Sequence, residues 1–241
     1  MSFLKHIKTH LYYLLSRRNI VLLSVINVFV LALLLISSQV FKGITYIDEY
    51  RRDTLEQFRQ SSFILIKICL LFIFLFVNMS YFSGNSSKYS QYFIKDKKSK
   101  IQFYLTKYIS IILFDTIEYL ILYFSYEFVR LILPNTIYPF QDFKLYFYVY
   151  LMGLYYLFLS SLLLIMTESN FSLIIPLIMF WGTDILLSSS DKGTVFNKII
   201  LAINVSVSYE GELVFGALHA LLMIIVMIEA NFLAIKLKDS I

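Results

Sequence analysis

Residues 1–18 place apolar side chains at three- and four-residue intervals, at Leu4, Ile7, Leu11, Leu14 and Leu15. Lys5, Lys8, Arg17 and Arg18 carry the charge of this segment. That period predicts an amphipathic helix lying in a membrane interface, with its apolar face down and its basic side chains toward anionic headgroups. Long apolar runs follow at 20–40, 62–82, 109–129, 145–166, 171–187 and 214–235. Each reaches or approaches the ~17–25 residues a helix needs to cross a hydrocarbon core of about 30 Å. The fifth run is the shortest and contains Pro176, which removes a backbone donor and predicts a kink or local unwinding. The pattern specifies an all-α polytopic membrane protein. Residues 1–241 form one transmembrane domain of six spanning helices behind an N-terminal interfacial helix.

The connections between these runs are unequal. Segment 83–108 is polar and basic, with Lys88, Lys95, Lys97, Lys98, Lys100 and Lys107, and it contains Tyr89, Tyr92, Phe93 and Ile101 as apolar anchors. The connection around 167–170 is only a few residues long and holds Glu168. Segment 42–61 is highly charged, and 188–212 is long for a turn. Within the latter, the apolar stretch 195–207 is too short to cross a membrane. Buried helices or a partial re-entrant excursion would account for it. No internal repeat or low-complexity tract is present.

Composition supports the lipid reading and removes competitors. Hydrophobic residues make up 59% of the chain and charged ones 15%, with a mean hydropathy of +0.74. Soluble domains sit near half apolar and a quarter charged, so a disordered chain and a small soluble α/β enzyme are both excluded. Lys and Arg total 21 against 16 Asp and Glu. With the amino terminus inside, more than half of those 21 fall on the inner side, which places both termini in the cytoplasm. The same rule accounts for the net charge of +5 without a nucleic-acid partner. Cys69 is the single cysteine, so neither an internal disulfide nor a thiolate metal cluster can form. It reads as a small buried hydrophobe. No cleavable signal peptide is evident, because the first apolar run starts late and no small-residue cleavage site follows it.

Enzymatic motifs are missing. There is no GxxxxGK[ST] phosphate loop, no GxSxG elbow and no HExxH helix. His6 and His10 have the i,i+4 spacing that can chelate zinc, but no third ligand is near, so they read as interfacial histidines. The 19 Tyr and 23 Phe read as interface belt and packing.

Charges inside spans are costly and mark candidate sites. Lys67, Glu127 and Asp184 fall at similar depths near the outer ends of runs two, three and five. Lys67 has two options there: pairing with Glu127 or Asp184, or snorkelling outward while Glu127 pairs with Arg130 at i,i+3. Asp115 and Glu118, also i,i+3, share one face of run three in its inner half, and Glu229 lies at a comparable inner depth on run six. These acids suit a proton or cation relay, a cavity that attracts cationic peptide, or a polar helix contact.

The whole layout resembles the six-span permease subunits of ABC-2 type transporters, most of which are exporters. The resemblance rests on the basic segment 3–18, the large basic loop 83–108, the short 167–170 connection and the outer segment 188–212. It is similar in length to half-sized permeases of peptide, bacteriocin-immunity and toxin exporters. The resemblance implies that 3–18 is an elbow helix and that part of 83–108 is a coupling helix. The coupling surface would then draw on Lys88, Tyr92, Phe93, Lys95, Lys97, Lys98, Lys100 and Glu168. It further implies two separate ATPase subunits that bind ATP and magnesium, a second permease chain, identical or homologous, and amphipathic peptide, antimicrobial or lipid-like cargo. This chain itself would hold no cofactor and hydrolyse nothing. The Ile-, Phe-, Tyr- and Lys-rich composition suits the cell membrane of a low-GC Gram-positive bacterium. A membrane-embedded binding subunit or ion-coupled carrier is the competing expectation.

Overall fold

The computed structural model describes residues 3–44, 51–82, 97–133, 140, 142–167, 174–188, 199, 203–205 and 213–238. Among these residues the chain is helical, with seven long helices and no strand. They are α1 (Phe3–Leu14), α2 (Arg17–Ile44), α3 (Arg51–Phe82), α4 (Lys97–Ile132), α5 (Phe143–Thr167), α6 (Ile174–Ser188) and α7 (Leu213–Lys238). Helix is the expected answer for such apolar runs, since it satisfies every backbone donor and acceptor inside one segment. Five helices, α2, α3, α4, α5 and α7, are long and apolar enough to cross a membrane. The run at 171–187 falls on α6, whose described residues are Ile174–Ser188. Pro176 lies on α6, and residues 171–173 before it are outside the described residues.

Helix α5 is the hub. Nearly every residue from Leu145 to Ser161 is buried, on all faces rather than on one stripe. It packs most extensively against α7 and α3 and also touches α4 and α6. A helix that is apolar all round is placed in the centre by that composition. Helix α7, by contrast, buries one stripe through Ala220, Ile224, Asn231 and Ile235 and leaves Val214, Phe215, Leu218, Leu222, Ile225 and Leu233 exposed. Helix α2 is likewise peripheral, with Val21, Val25, Val28, Phe29, Ile36 and Val40 exposed. In a membrane, such faces meet lipid tails or another chain.

Cross-helix contacts set the two ends of the bundle. Helix α1 packs against the start of α4, where Ser110 Oγ donates to the Ile7 carbonyl at 3.3 Å. The ends of α5 and α7 reach the same end through Ser161 and Asn231. The starts of α3 and α5 meet the end of α4 at the far end, through Arg59, Asp142 and Tyr126. Helices α3, α4 and α5 therefore alternate in direction, and α7 runs parallel to α5. The Tyr155 hydroxyl donates to the Ile203 carbonyl at 3.0 Å. Tyr155 lies about 18 Å along α5 from its start, and its side chain leans back toward that start. Asn204 and Val205 are buried there, whereas the Ile203 side chain is exposed. Non-helical backbone is tolerated at such depth when protein surrounds it.

Candidate functional site

Three polar layers interrupt the apolar interior. The far-end layer ties three helices together. Arg59 on α3 donates through Nε to Asp142 Oδ2 at 3.2 Å and through Nη2 to Asp142 Oδ1, a bidentate fork. The Tyr126 hydroxyl on α4 also donates to Asp142 Oδ2, at 2.5 Å. Asp142 immediately precedes α5, where a negative charge also favours the helix N-terminus. Beside it, Arg130 donates through Nε and Nη2 to Glu127 Oε2 at 3.1 and 2.8 Å, and the Tyr123 hydroxyl donates to Glu127 Oε1 at 2.7 Å. Glu56 takes a further bond from Arg59 at 3.0 Å. Each buried carboxylate is thus met by a guanidinium and a phenol, which is how a buried charge becomes tolerable. The turn feeding this layer holds Phe140 at a φ of 61°, a left-handed conformation rare for a bulky residue.

The middle layer lies on α4. Asn27 Nδ2 on α2 donates to Glu118 Oε2 at 3.1 Å. On the α5 side, the Thr116 and Tyr150 hydroxyls share a bond of 2.8 Å. Asp115 is fully buried and close enough to the Tyr150 hydroxyl to interact electrostatically. Tyr119 stacks on Tyr150 with ring centroids 5.0 Å apart, and its buried hydroxyl has no hydrogen-bond partner among the described residues.

The third layer is at the α1 end. The Tyr108 hydroxyl on α4 bonds Ser161 at 3.1 Å and donates to Asn231 Oδ1 at 3.0 Å. Asn231 Nδ2 donates to the Phe158 and Met227 carbonyls at 2.9 and 2.7 Å. This knot joins α4, α5 and α7 and satisfies the amide completely. Nearby, His10 is buried edge-on to Phe103, with ring centroids 4.9 Å apart, beside Lys107 and His6. Burial lowers the His10 pKa from its ordinary 6.5 to about 4, and the positive charge of Lys107 and the neighbouring His6 add to the shift.

The sequence-derived candidates fall into separate places. Glu127 pairs with Arg130 and Tyr123, not with Lys67. Lys67 is buried rather than snorkelled, and its ammonium lies 5.9 Å from the Phe63 ring centroid and 5.0 Å from that of Phe180. Asp184 lies on α6, one turn beyond Phe180, and its side chain is outside the described residues. Asp115 and Glu118 both lie near the middle of α4, and both are buried. Glu229 is exposed on α7 and joins no buried layer. Of the coupling candidates, Lys88, Tyr92, Phe93, Lys95 and Glu168 lie outside the described residues. Lys97 and Lys98 open α4 with side chains not described, and Lys100 is half-buried. No group of three His, Cys, Asp or Glu suited to a metal occurs among the described residues.

Comparison with protein-family models, with curated proteins and with solved structures finds no match. The functional reading therefore rests on the chain's own geometry.

Sequence reasoning missed Arg59, Tyr126 and Asp142 as one unit, and it missed Asn27, Tyr108 and Asn231. A signal existed for the two amides, each a polar residue within an apolar run. For Asp142 there was none, because its partners lie 83 and 16 residues away on other helices.

Proposed function

We propose that this chain is the membrane-spanning permease subunit of an ATP-driven exporter. It would work with a second permease chain and separate ATPase subunits to move amphipathic peptide, antimicrobial or lipid-like cargo. In this reading α6 is a short sixth crossing, both termini are cytoplasmic, and α1 is an interfacial elbow. The observation that carries it is the docking of α1 on the first turns of α4, directly after the basic segment 83–96. An ATPase pushing on that segment would move α4 and α1 as one lever. The Tyr108, Ser161 and Asn231 knot would pass the displacement to α5 and α7. Domain closure can reach spans only through rigid contacts of this kind. The burial of Asn204 and Val205 also suits an outer segment that helps seal a translocation path.

Affinity purification of the tagged chain from its native membrane tests this reading. The expected result is a stoichiometric partner with a Walker phosphate loop, lost when Lys95, Lys97, Lys98 and Lys100 are changed to Glu. Substrate flux in vesicles holding the chain alone, without ATP, would overturn it. That outcome would favour an ion-coupled carrier, for which the buried Asp115 and Glu118 are the supporting observation.

A further inference from the structure

Among the described residues, one side-chain hydrogen bond joins peripheral α2 to the bundle α3–α7, from Asn27 Nδ2 to Glu118 Oε2 at 3.1 Å. Both partners stand far from the ends of their spans. Asn27 is about 15 Å along α2 from Arg17 and about 20 Å from Val40. Glu118 is about 27 Å along α4 from Lys100 and about 21 Å from Ile132. Glu118 is buried, and it makes no ion pair among the described residues. Asn27 Oδ1 is buried and has no hydrogen-bond partner among the described residues. The charges of the neighbouring elements lie elsewhere. Those of α2 are Arg17, Arg18 and Lys42 at its ends, and Lys67 on α3 sits against Phe63 and Phe180. On α4, Lys107 is about 16 Å away along the axis, and Asp115 is buried near the Tyr150 hydroxyl of α5. Tyr119 stacks on Tyr150 and adds a neutral hydroxyl.

We infer that the Asn27–Glu118 contact is a proton-binding site, in which Glu118 is a carboxylic acid at neutral pH and its O–H donates to Asn27 Oδ1. Two observations select the proton. A carboxylate met by one neutral donor in an apolar interior is costly, and a group so placed takes up a proton instead. The acid form gains one donor, and Asn27 Oδ1 is a buried acceptor that lacks one. An ionised Glu118 would instead set negative oxygens beside Oδ1 and leave that acceptor unsatisfied. With the proton in place, acid and amide each give one bond and take one. The pair clasps α2 to α4, and its proton can leave only when the two helices part and water enters. Proton release and movement of α2 are thus one event. The site goes beyond the exporter reading and needs no ATPase.

Infrared spectroscopy of the purified full chain at neutral pH tests the site, in nanodiscs of ether-linked phosphatidylcholine, which carries no ester carbonyl. A protonated carboxyl has a carbonyl stretch above the amide bands, and a carboxylate has none there. Labelling glutamate with heavy carbon at the side-chain carboxyl should displace that band to lower wavenumber. The displacement assigns it to a glutamic acid without any substitution and separates it from Asp115. Glu118→Gln should abolish the displaced band and keep the fold, because an amide replaces the acid as donor to Oδ1 and acceptor from Nδ2. Asn27→Leu should keep the band and move it to higher wavenumber, because the acid loses both of its bonds. No glutamic-acid band in the parent, a band retained in Glu118→Gln, or one unmoved in Asn27→Leu would each overturn the site. No ATPase enters the measurement, so its failure is distinct from failure to recover a partner ATPase.

Discussion

A buried histidine beside a buried lysine is tolerated when the histidine gives up its proton, and this is the state of His10. Its pKa is lowered from 6.5 to about 4, first by burial and then by Lys107 and His6. When α1 leaves α4 the ring regains water and its ordinary basicity, so the detached state binds more protons between those two values. Docking of α1 is therefore at full strength above pH 6.5 and weakens as pH falls toward 4. A spin label at Tyr12→Cys, in a chain with Cys69→Ser, reads this directly because Tyr12 is exposed on α1. Its mobility should rise over that interval in the parent and stay flat in His10→Phe, which keeps an aromatic edge for Phe103 but cannot titrate. Arg59 and Tyr126 share Asp142, while Arg130 and Tyr123 share Glu127, so neither acid is left without a cation.

Between elements, α5 approaches α3 closely. A Cβ added at Gly153 would stand 2.8 Å from two carbons of the Phe74 ring, which is fully buried and held edge-on to Tyr150. Gly153→Ala should therefore cost about 1–3 kcal/mol through overpacking, and Phe74→Leu in the same chain should recover part of it. Gly182 on α6 is the internal comparison, since nothing lies within 4 Å of a Cβ there. Gly182→Ala should be neutral or gain up to about 1 kcal/mol from helix propensity. Thermal unfolding of the three variants in detergent checks both. Helices of this kind were legible in the sequence, because an apolar run reports its own existence and approximate length. Their neighbours were not. The 145–166 run does not say that α5 would be buried on every face, and Gly153 does not say that Phe74 waits opposite it. For the same reason Asp115 and Glu118 could be placed on one face, while Asn27 as the partner of Glu118 could not.

At the scale of the molecule, the solvent of the outer surface decides the whole reading. Central α5 buries its apolar side chains inside the bundle, but α2 and α7 expose most of theirs. Val28 is 67% exposed and Leu222 is 59% exposed, both in the middle of long apolar helices. If water covered those faces, an aspartate at either position would be nearly silent, within about 0.5 kcal/mol, as at most exposed sites. If hydrocarbon covers them, the same aspartate costs about 3 kcal/mol at the centre of a spanning helix, because no partner or water shares its charge. Val28→Asp and Leu222→Asp should accordingly cut the membrane-integrated, folded fraction by roughly a hundredfold each. An aspartate is the stricter choice than a lysine, whose long stem could carry its charge toward the interface. Fractionation of membranes, with folded yield read by size-exclusion chromatography, separates the two cases. Unchanged yield for both variants would mean that these faces never meet lipid, and the permease reading would fall with them.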